Sequence, residues 1–394
     1  MSAIETSTRA ATSTSRAELA YVRTAPAVFM PPPPMTIGIG GWIRARLFGS
    51  SSSSVLTILI AILLVWAVPR LVEFLVIDAV WSGADREACL PSPAQPEIGA
   101  CWAFIGDRLA YLIFGSYPVA GRWRVDLFFA MLAFGTAWLL WLEAPRRDIG
   151  TVYFFAVLPI ASFVLLYGFA PIGLAPVDTA LWGGMMVTVV VAAVGIVASL
   201  PIGVALALGR RSEMPAVRLL SVLFIEFVRG VPLIAVLFMA SVMLPLFLPN
   251  TWSPDKLMRA LVGVALFSSA YMAEVVRAGL QSIPKGQYEA SHALGLGHWQ
   301  ALRLVILPQA LKVTIPNIVN SYIALFKDTT LVFFVGIFDF LKTIEAAGAD
   351  PKWATPVTSA TGYIFAAMVY FVCCYAMSGY ARRIEARLSV GERR

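Results

Sequence analysis

Residues 288–310 read YEASHALGLGHWQALRLVILPQA and form a polar stretch, interrupted by glycines, between two long apolar segments. Gly295 follows a short run with helical spacing and stands where a helix usually ends. Gly297 permits a second turn before a helical pattern resumes, and Pro308 predicts that the next element begins afresh. The pattern predicts a compact helical elbow over residues 282–311, the elbow loop, with an exposed tip suited to a groove on a partner.

The composition places the chain in a membrane. Of its 394 residues, 59% are hydrophobic and only 13% are charged, which is too little charge to cover a soluble globule. Eight windows approach or exceed the length of about 20 apolar residues that crosses a bilayer. The predicted spans are 53–69, 125–142, 151–169, 181–208, 220–248, 257–276, 313–338 and 358–380.

The basic residues indicate an orientation. The net charge is +7, and most Lys and Arg residues lie in the N-terminal arm, in alternate loops that include the elbow loop, and in the tail. Under the positive-inside rule, both termini and the elbow loop are cytoplasmic in a multi-pass membrane protein. The positive charge therefore reflects topology, and no nucleic-acid partner is predicted.

The chain divides into three predicted regions. Residues 1–52 are rich in Ser, Thr and Ala and are predicted to form a disordered cytoplasmic arm. Residues 53–170 hold three spans and a periplasmic segment over residues 77–124, and residues 181–388 hold five further spans. Cys89 and Cys101 lie in the periplasmic segment, where they form either a disulfide or two free thiols.

Two pairs of opposite charges interrupt the apolar segments. Glu226 and Arg229 are three residues apart, and Glu274 and Arg277 repeat that spacing at the end of the sixth span. Side chains three apart share a helix face, and charges inside a membrane must be compensated. Each pair is therefore predicted to pair internally or to face the bundle interior, with a structural role or a role in gating.

A polar stripe marks the seventh span. Asn317, Ser321 and Asp328 have helical spacing on one face, and Lys327 and Thr329 flank the aspartate. An ionisable pair near the middle of a span is a functional candidate by default. We hypothesise that these five residues line a substrate path and that Asp328, Lys327 or both meet the amino or carboxylate group of a zwitterion. The alternative is a structural pair that only positions neighbouring spans.

The sequence lacks the motifs for nucleotide binding, metal binding and catalysis. No phosphate-binding Gly-x-x-x-x-Gly-Lys-Ser/Thr motif occurs, and the only two histidines, His292 and His298, both lie in the elbow loop. No catalytic residues, no metal site and no cofactor are predicted in this chain, and an enzyme is not expected.

The elbow loop resembles the Glu-Ala-Ala coupling loop in the membrane subunit of ABC importers. The residues that match are Glu289, Ala290, Gly295, Leu307 and Pro308. This resemblance implies that these five residues couple the chain to a separate ATPase. Ser291 departs from the pattern by replacing the second alanine of the triplet.

Three further stretches resemble permeases for polar amino acids: IEFVRGVPL at 225–233, AYMAEVVRAGLQSIPKGQ at 270–287 and NIVNSYIALFKDTTL at 317–331. The resemblance implies an all-α fold with about eight transmembrane helices, in which a type I ABC importer permease core follows three extra spans. It implies five kinds of partner: a second permease subunit of the same or a different sequence, two ATPase subunits that bind ATP and Mg, a periplasmic amino-acid-binding protein, the L-amino-acid substrate and the lipid bilayer.

Two rival functions remain at this point. An ion-gradient-driven secondary transporter requires membrane carboxylates that cycle ions and an inverted repeat. Asp328 is the one good carboxylate candidate in the sequence, and no convincing repeat is visible. A membrane scaffold or receptor subunit that transports nothing is the second rival.

Overall fold

The computed structural model of the protein describes residues 38–93, 95–141, 143–249 and 254–392. Within these ranges the regular structure is helical, and β pairing is limited to isolated bridges between single residues. The chain divides into two compact units, Met1–Val72 and Glu73–Arg394. The predicted all-α class is confirmed.

The structure describes only residues 38–52 of the predicted disordered arm of residues 1–52, and it shows helix in this part. The first 37 residues lie outside the described part, but helix begins at Gly38. The serine run that suggested disorder instead starts a helix, because the Ser53 N–H donates a hydrogen bond to the Ser50 hydroxyl (3.2 Å). The described helices of the first unit are α1 (Gly38–Leu47) and α2 (Ser51–Val72).

The second unit contains the remaining helices. Its α-helices are α3 (Trp102–Phe114), α4 (Arg122–Leu140), α5 (Arg147–Val152), α6 (Leu158–Tyr167), α7 (Gly184–Arg210), α8 (Pro215–Gly230), α9 (Leu233–Phe238), α10 (Leu244–Phe247), α11 (Lys256–Ser282), α12 (Lys285–Ala293), α13 (His298–Ala301), α14 (Leu307–Asp328), α15 (Phe340–Gly348) and α16 (Pro356–Glu392). Its π-helical turns are Glu73–Ile77, Tyr153–Val157, Met239–Met243 and Leu302–Ile306. Its 3₁₀ turns are Arg86–Cys89, Val119–Gly121, Ala170–Ile172, Thr179–Leu181 and Thr329–Val335.

Seven described helical stretches are long and apolar enough to cross a membrane, and a bent helix pair brings the number to up to eight. The bent pair is α8 with the helices from Leu233 to Phe247, which meet at 110°. Pro232 lies at the break, where it lacks an N–H and disfavours helix in the residue before it. The single span predicted at 220–248 is therefore corrected to two arms.

The centre of the second unit is the pair α7 and α11, which packs closely through glycines. A Cβ atom at Gly203 would lie 2.7 Å from the Met272 side chain, and one at Gly195 would lie 3.2 Å from Val264. Gly279 likewise brings α11 against the Ala310 carbonyl at the start of α14. Small residues therefore let these membrane helices approach closely.

The segment between the first two spans contains a packed helix. Phe104 and Leu112 on α3 are fully buried against Phe340 and Ile344 on α15 and against the Trp353 ring. The Cys101 N–H donates to Thr361 Oγ1 (2.8 Å), which attaches the segment to α16. The 77–124 segment therefore contributes to the core of the second unit. The sequence predicted only that this segment lies outside the membrane, and it did not predict this burial.

The elbow loop joins α14 without a break. Residues His298–Val335 form one helical stretch, in which the π-helical turn ends at Ile306, immediately before Leu307. Pro308 sits in the first turn of α14, where a backbone N–H has no partner within the α-helix, so the missing N–H of proline is tolerated. The new element predicted at Pro308 is confirmed as the start of α14, which follows directly on the π-helical turn. We call the end of the bundle at which α7 and α11 terminate, next to the elbow loop, the elbow end.

Candidate coupling surface and central pocket

The first helix of the elbow loop ends in two crossed hydrogen bonds around Gly295. The Gly295 N–H donates to the His292 carbonyl (2.9 Å), and the Leu296 N–H donates to the Ser291 carbonyl (3.1 Å). Gly295 has a φ of +75°, a left-handed conformation that favours glycine. The helix end predicted at this residue is confirmed, and it fixes the direction in which the chain leaves α12.

The tip of the elbow loop is exposed. Glu289, Ala290, Leu294 and Gly295 are exposed together with Trp299, and we call these five residues the elbow tip. Leu294 is 80% and Trp299 71% accessible. Large apolar side chains held in this way suit a partner groove. Trp299 was not among the predicted coupling residues, although an aromatic side chain beside a helix break in a polar loop is the signal that identifies it.

The remaining two coupling candidates lie at the base of the elbow loop. Leu307 is half-buried against a cluster that includes Ile306 and Ala310, so it supports the elbow from inside. Pro308 is exposed in the first turn of α14. Of the five predicted coupling residues, the elbow tip therefore contains Glu289, Ala290 and Gly295.

A polar contact joins the elbow loop to the end of α7. Arg211 Nη1 donates to the Tyr288 hydroxyl (3.3 Å) and to the Leu280 carbonyl (3.4 Å). The Arg211 guanidinium also lies 5.8 Å from the centre of the Tyr288 ring, within the range of a cation–π interaction. The end of α7, the end of α11 and α12 thus meet at one arginine.

Next to this contact, a single carboxylate is surrounded by three arginines. Glu274 accepts hydrogen bonds from Arg210 Nη1 (2.9 Å) and from Arg277 Nη2 (2.7 Å), and Arg229 Nη1 lies 3.7 Å from it. The Glu274 side chain is only 16% exposed. This group, which we call the arginine cluster, compensates the carboxylate with charges from α7, α8 and α11.

The arginine cluster decides between the two arrangements predicted for Glu226 and Arg229. Glu274 and Arg277 pair within α11, but Glu226 and Arg229 do not pair with each other. Glu226 Oε1 accepts from Arg210 Nη1 (2.8 Å), while Arg229 turns towards Glu274. The reason is tertiary: Glu274 on the neighbouring helix is far less exposed than Glu226, so its charge has the greater need of partners.

A small pocket lies between α7, α11 and α14, with a mainly apolar lining that carries several polar side chains. It has a volume of about 220 Å³ and is lined by Asp328 and Ser321 together with Ser268, Tyr271 and Tyr322. Within the described chain the buried Ser268 hydroxyl has no hydrogen-bond partner. Two of the five predicted path residues, Ser321 and Asp328, therefore meet at one cavity.

The other three path candidates lie elsewhere. Lys327 is exposed and does not line the pocket, because consecutive side chains diverge by about 100° around a helix. Asn317 is exposed one turn before Ser321. Thr329 is buried and donates to the Phe326 carbonyl (2.8 Å), which satisfies its hydroxyl locally.

The two candidate cysteines are joined. Cys89 and Cys101 form a disulfide with Cα atoms 5.8 Å apart. Close by, Asp107 on α3 accepts from Trp353 Nε1 (2.7 Å) and pairs with Lys352 (3.0 Å). The Trp353 hydrogen bond and the Lys352 charge hold the pKa of Asp107 below its usual value despite some burial.

The described residues include no group of three His, Cys, Asp or Glu side chains arranged to hold a metal ion. His292 and His298 are both exposed in the elbow loop. The described chain is a helical bundle that has a central pocket with polar side chains in its lining and the arginine cluster at its elbow end. The exposed elbow loop is joined to this bundle at the end of α7. These features define a multi-pass membrane transport subunit.

Known proteins agree with that class. The sequence profile described as "Binding-protein-dependent transport system inner membrane component" matches residues 199–390. The chain is 48% identical over 351 residues to the inner membrane amino-acid ABC transporter permease protein YhdY of Escherichia coli strain K12, covering 89% of this chain and 93% of that one. It is 38% identical to the glutamate/glutamine/aspartate/asparagine transport system permease protein BztC of Rhodobacter capsulatus, covering 94% of this chain and 98% of that one.

The match to the glutamate/aspartate import permease protein GltK of Escherichia coli O6:H1 is 34% identical and covers 50% of this chain and 87% of that one. A chain in a crystal structure of an amino acid ABC transporter with histidines aligns at 28% identity, covering 52% of this chain and 92% of that one, with a TM-score of 0.45. The protein belongs to the family of amino-acid ABC transporter permeases, as the sequence resemblance implied. It is a multi-pass protein of the inner membrane.

Proposed function

We propose that the chain forms the translocation path of an importer for polar L-amino acids. The observation that carries this proposal is the pocket between the central helices whose lining includes the carboxylate of Asp328 and the hydroxyls of Ser321 and Ser268. The relative BztC, similar along nearly the whole chain, is named for glutamate, glutamine, aspartate and asparagine. A pocket with one carboxylate and several hydroxyls suits a small zwitterion of this kind.

In this proposal Asp328 receives the α-ammonium group of the substrate. An ammonium donates up to three hydrogen bonds, and a carboxylate only accepts them, so the two are complementary. The Ser268 hydroxyl faces the same cavity without a partner in the described chain and supplies a donor for the substrate carboxylate, whereas Ser321 Oγ already donates to the Asn317 carbonyl (3.0 Å). Lys327, Asn317 and Thr329 are not assigned contacts in the pocket, although they were candidates from the sequence.

The energy comes from partner subunits. The elbow tip docks into a groove on an ATPase, and the proposed complex contains a second permease subunit, two ATPases and a periplasmic amino-acid-binding protein. ATP and Mg bind to the ATPases and not to this chain, which has no phosphate-binding motif. The family in general works with ATPase and binding-protein partners; the stoichiometry is part of the proposal.

The orientation is proposed from charge. Both termini and the elbow loop face the cytoplasm, as the distribution of Lys and Arg favours. The Cys89–Cys101 disulfide then faces the oxidising periplasm, where such bonds persist. The opposite orientation would leave it in a reducing compartment.

The division into regions is also a proposal. Residues 181–388 form the five-span permease core, and residues 53–170 add three spans to it. The support is that GltK matches only 50% of this chain while YhdY matches 89%, and that the family profile begins at residue 199.

The proposed mechanism has two states. Closure of the ATPases on ATP moves the elbow tips together, and the contact of Arg211 with Tyr288 transmits this motion to α7. The central pocket then opens outward to receive the substrate, and hydrolysis returns it to the inward state. Nucleotide drives this change only if it binds one state more tightly than the other.

The test is uptake into vesicles that contain the complete complex. We expect uptake that requires ATP and the binding protein and that persists without an ion gradient. Asp328→Asn should reduce uptake at least about tenfold, the effect of losing one charge-assisted hydrogen bond. The matched control is Lys327→Met, one residue away but outside the pocket, which should retain uptake. Uptake driven by a gradient alone would identify a secondary transporter, and equal uptake by the Asp328→Asn variant would remove the pocket from the path.

A further inference from the structure

A second cavity, distinct from the central pocket, separates the helices α4 to α6 from the pair α7 and α11. Its volume is about 1130 Å³, and its walls are apolar side chains such as Phe128, Leu158 and Leu261. Its lining begins at Trp182, just before α7, and continues along α7 as far as Ala198, about 21 Å from the start of that helix at 1.5 Å per residue. We call this cavity the interhelical slot; this length is about two thirds of the bilayer core thickness of about 30 Å.

Two buried polar groups that line the slot have no partner. The Ser162 hydroxyl and the Trp182 indole N–H make no hydrogen bond within the described chain, and the two residues are only 9% and 6% exposed. Such groups are expensive in a membrane, where no water relieves them. An unsatisfied donor in a native structure calls for an unseen partner. Both donors therefore indicate a ligand with acceptor oxygens.

The end of the slot away from the elbow end carries negative charge. Asp178, Thr179 and Asp255 line it there, beside the starts of α7 and α11. Asp178 caps a 3₁₀ turn through the Ala180 N–H (2.9 Å), and Asp255 caps α11 through the Met258 N–H (3.2 Å). The Thr179 hydroxyl also donates to Asp255.

No Lys or Arg nitrogen in the described ranges lies within 4.0 Å of the Asp178 or Asp255 carboxylate. Each carboxylate has acceptor capacity beyond its backbone contact. The mouth of the slot is therefore suited to a group that donates hydrogen bonds and carries positive charge.

We infer that the interhelical slot binds one phospholipid with a primary ammonium headgroup, phosphatidylethanolamine. An acyl chain lies along the apolar walls, and the ammonium meets Asp178 and Asp255. The Trp182 N–H donates to a phosphate oxygen. Ser162 lies five residues inside the end of α6, about 7 Å deeper, where its hydroxyl donates to an ester carbonyl.

The same chemistry excludes other occupants. A zwitterionic amino acid would place its carboxylate against apolar walls, which offer no compensation for the charge. An apolar helix of a partner would fill the slot but would carry no acceptor for Ser162 and Trp182. Phosphatidylglycerol supplies the phosphate and esters but lacks the ammonium, so it meets the two carboxylates with a net negative charge.

The test compares lipid retention by the intact complex. The complex is purified in mild detergent, exchanged into nanodiscs of phosphatidylethanolamine and phosphatidylglycerol in equal amounts, and its retained lipids are counted by native mass spectrometry after release from the nanodisc. We expect about one retained phosphatidylethanolamine per chain and at least about tenfold less phosphatidylglycerol, since charge-assisted hydrogen bonds distinguish them.

Two variants test the parts of the site separately. Ala193→Phe on α7 fills the slot and should abolish lipid retention. Ile160→Phe on α6 should leave retention unchanged, because Ile160 is 67% exposed and does not line the slot. The double variant Asp178→Asn with Asp255→Asn keeps both caps, because asparagine caps as well as aspartate, but should remove the headgroup preference. Glu97→Gln is the matched control for loss of an exposed acidic charge. Equal retention of both lipids by the wild type, or unchanged retention by Ala193→Phe, would overturn the inference.

Discussion

Arg210, the last residue of α7, donates a hydrogen bond to Glu274 on α11 at 2.9 Å. Its neighbour Arg211 donates to Tyr288 in the elbow loop. Two consecutive arginines thus connect the elbow loop to the arginine cluster. A movement of the elbow loop reaches three membrane helices through charged contacts, because Glu274 also contacts Arg229 on α8.

Glu274→Gln is predicted to destabilise the elbow end. Removing the carboxylate leaves three arginines close together, and breaking a largely buried charge network from one side costs about 3 kcal/mol. Thermal unfolding of the purified complex should show the loss as a lower Tm. The matched change Glu226→Gln should cost less than about 1 kcal/mol, because Glu226 is 54% exposed and, among the described residues, forms a salt bridge with Arg210 alone. Equal effects of the two substitutions would show that Glu274 is not the centre of the cluster.

Trp299→Ala is predicted to weaken ATPase binding without destabilising the permease. An exposed aromatic residue that anchors a partner contributes about 2 kcal/mol or more, which is at least about thirtyfold in affinity. Binding of the purified ATPase measures the loss. Because Trp299 is 71% exposed, the Tm of the permease alone should stay unchanged. Arg303→Ala, an exposed residue nearby in the chain, is the control, and an equal loss there would mean that the tip carries no special anchor.

Gly295→Ala and Gly286→Ala are predicted to have opposite effects. Neither added methyl group meets an atom within 4 Å, so sterics do not decide between them. Gly295 has a φ of +75°, where alanine costs about 1 kcal/mol, while Gly286 lies inside α12, where alanine gains up to about 1 kcal/mol. The Tm should fall for the first and rise for the second. If both raise the Tm, the helix end at Gly295 is not as described.

The features that the sequence predicted are those set by local chemistry. The helix end at Gly295 depends on the conformation of one residue, and the Glu274–Arg277 pair depends on spacing along one helix. The contact of Arg210 with Glu274 joins residues on different helices, so the spacing of residues along one helix cannot predict it. Of the two arrangements predicted for Glu226 and Arg229, the local pair did not form for the same reason: a tertiary neighbour competed with the local one.

The buried helices α3 and α15 could not be predicted from hydropathy. Each is shorter than the roughly 20 residues that mark a span, so each was assigned to a connecting segment. Their burial depends on each other and on Trp353, which packs against Phe104. Likewise, only Ser321 and Asp328 of the five stripe residues face the pocket, because neighbouring helices determine which part of a stripe is covered.

Loss of the Cys89–Cys101 bond is predicted to destabilise this part of the protein. The bond closes a loop with a sequence separation of 12, and removing such a link costs about 3 kcal/mol through the added freedom of the unfolded chain. Cys89→Ser with Cys101→Ser should lower the Tm. Cys373→Ser, a free thiol in α16, is the control and should change little. If reducing agent lowers the Tm of the double variant as much as that of the wild type, the effect does not come from this disulfide.

Asp339 begins α15 as a fully buried carboxylate. It accepts from the Leu341 N–H (3.0 Å) and the Lys342 N–H (3.1 Å). Burial raises the pKa of Asp339 to about 6 from a usual value near 3.8, because desolvation outweighs these two hydrogen bonds, and the charge of Glu345 adds to the rise. The folded protein therefore binds this proton more tightly than the unfolded chain.

Asp339→Asn is predicted to stabilise the protein at neutral pH. The stabilisation from protonated Asp339 is fully present below about pH 4 and is lost as the pH rises through about 6, so the charged form is a cost above that range. An asparagine keeps a cap oxygen and never ionises, and it should raise the Tm at pH 8 by the equivalent of about 1–3 kcal/mol while having little effect at pH 4. Tm measurements of both proteins across this range test the sign. Asp85→Asn, an exposed cap near Cys89, should show no such dependence; a Tm difference at Asp339 that is constant with pH would mean that the carboxylate stays charged throughout.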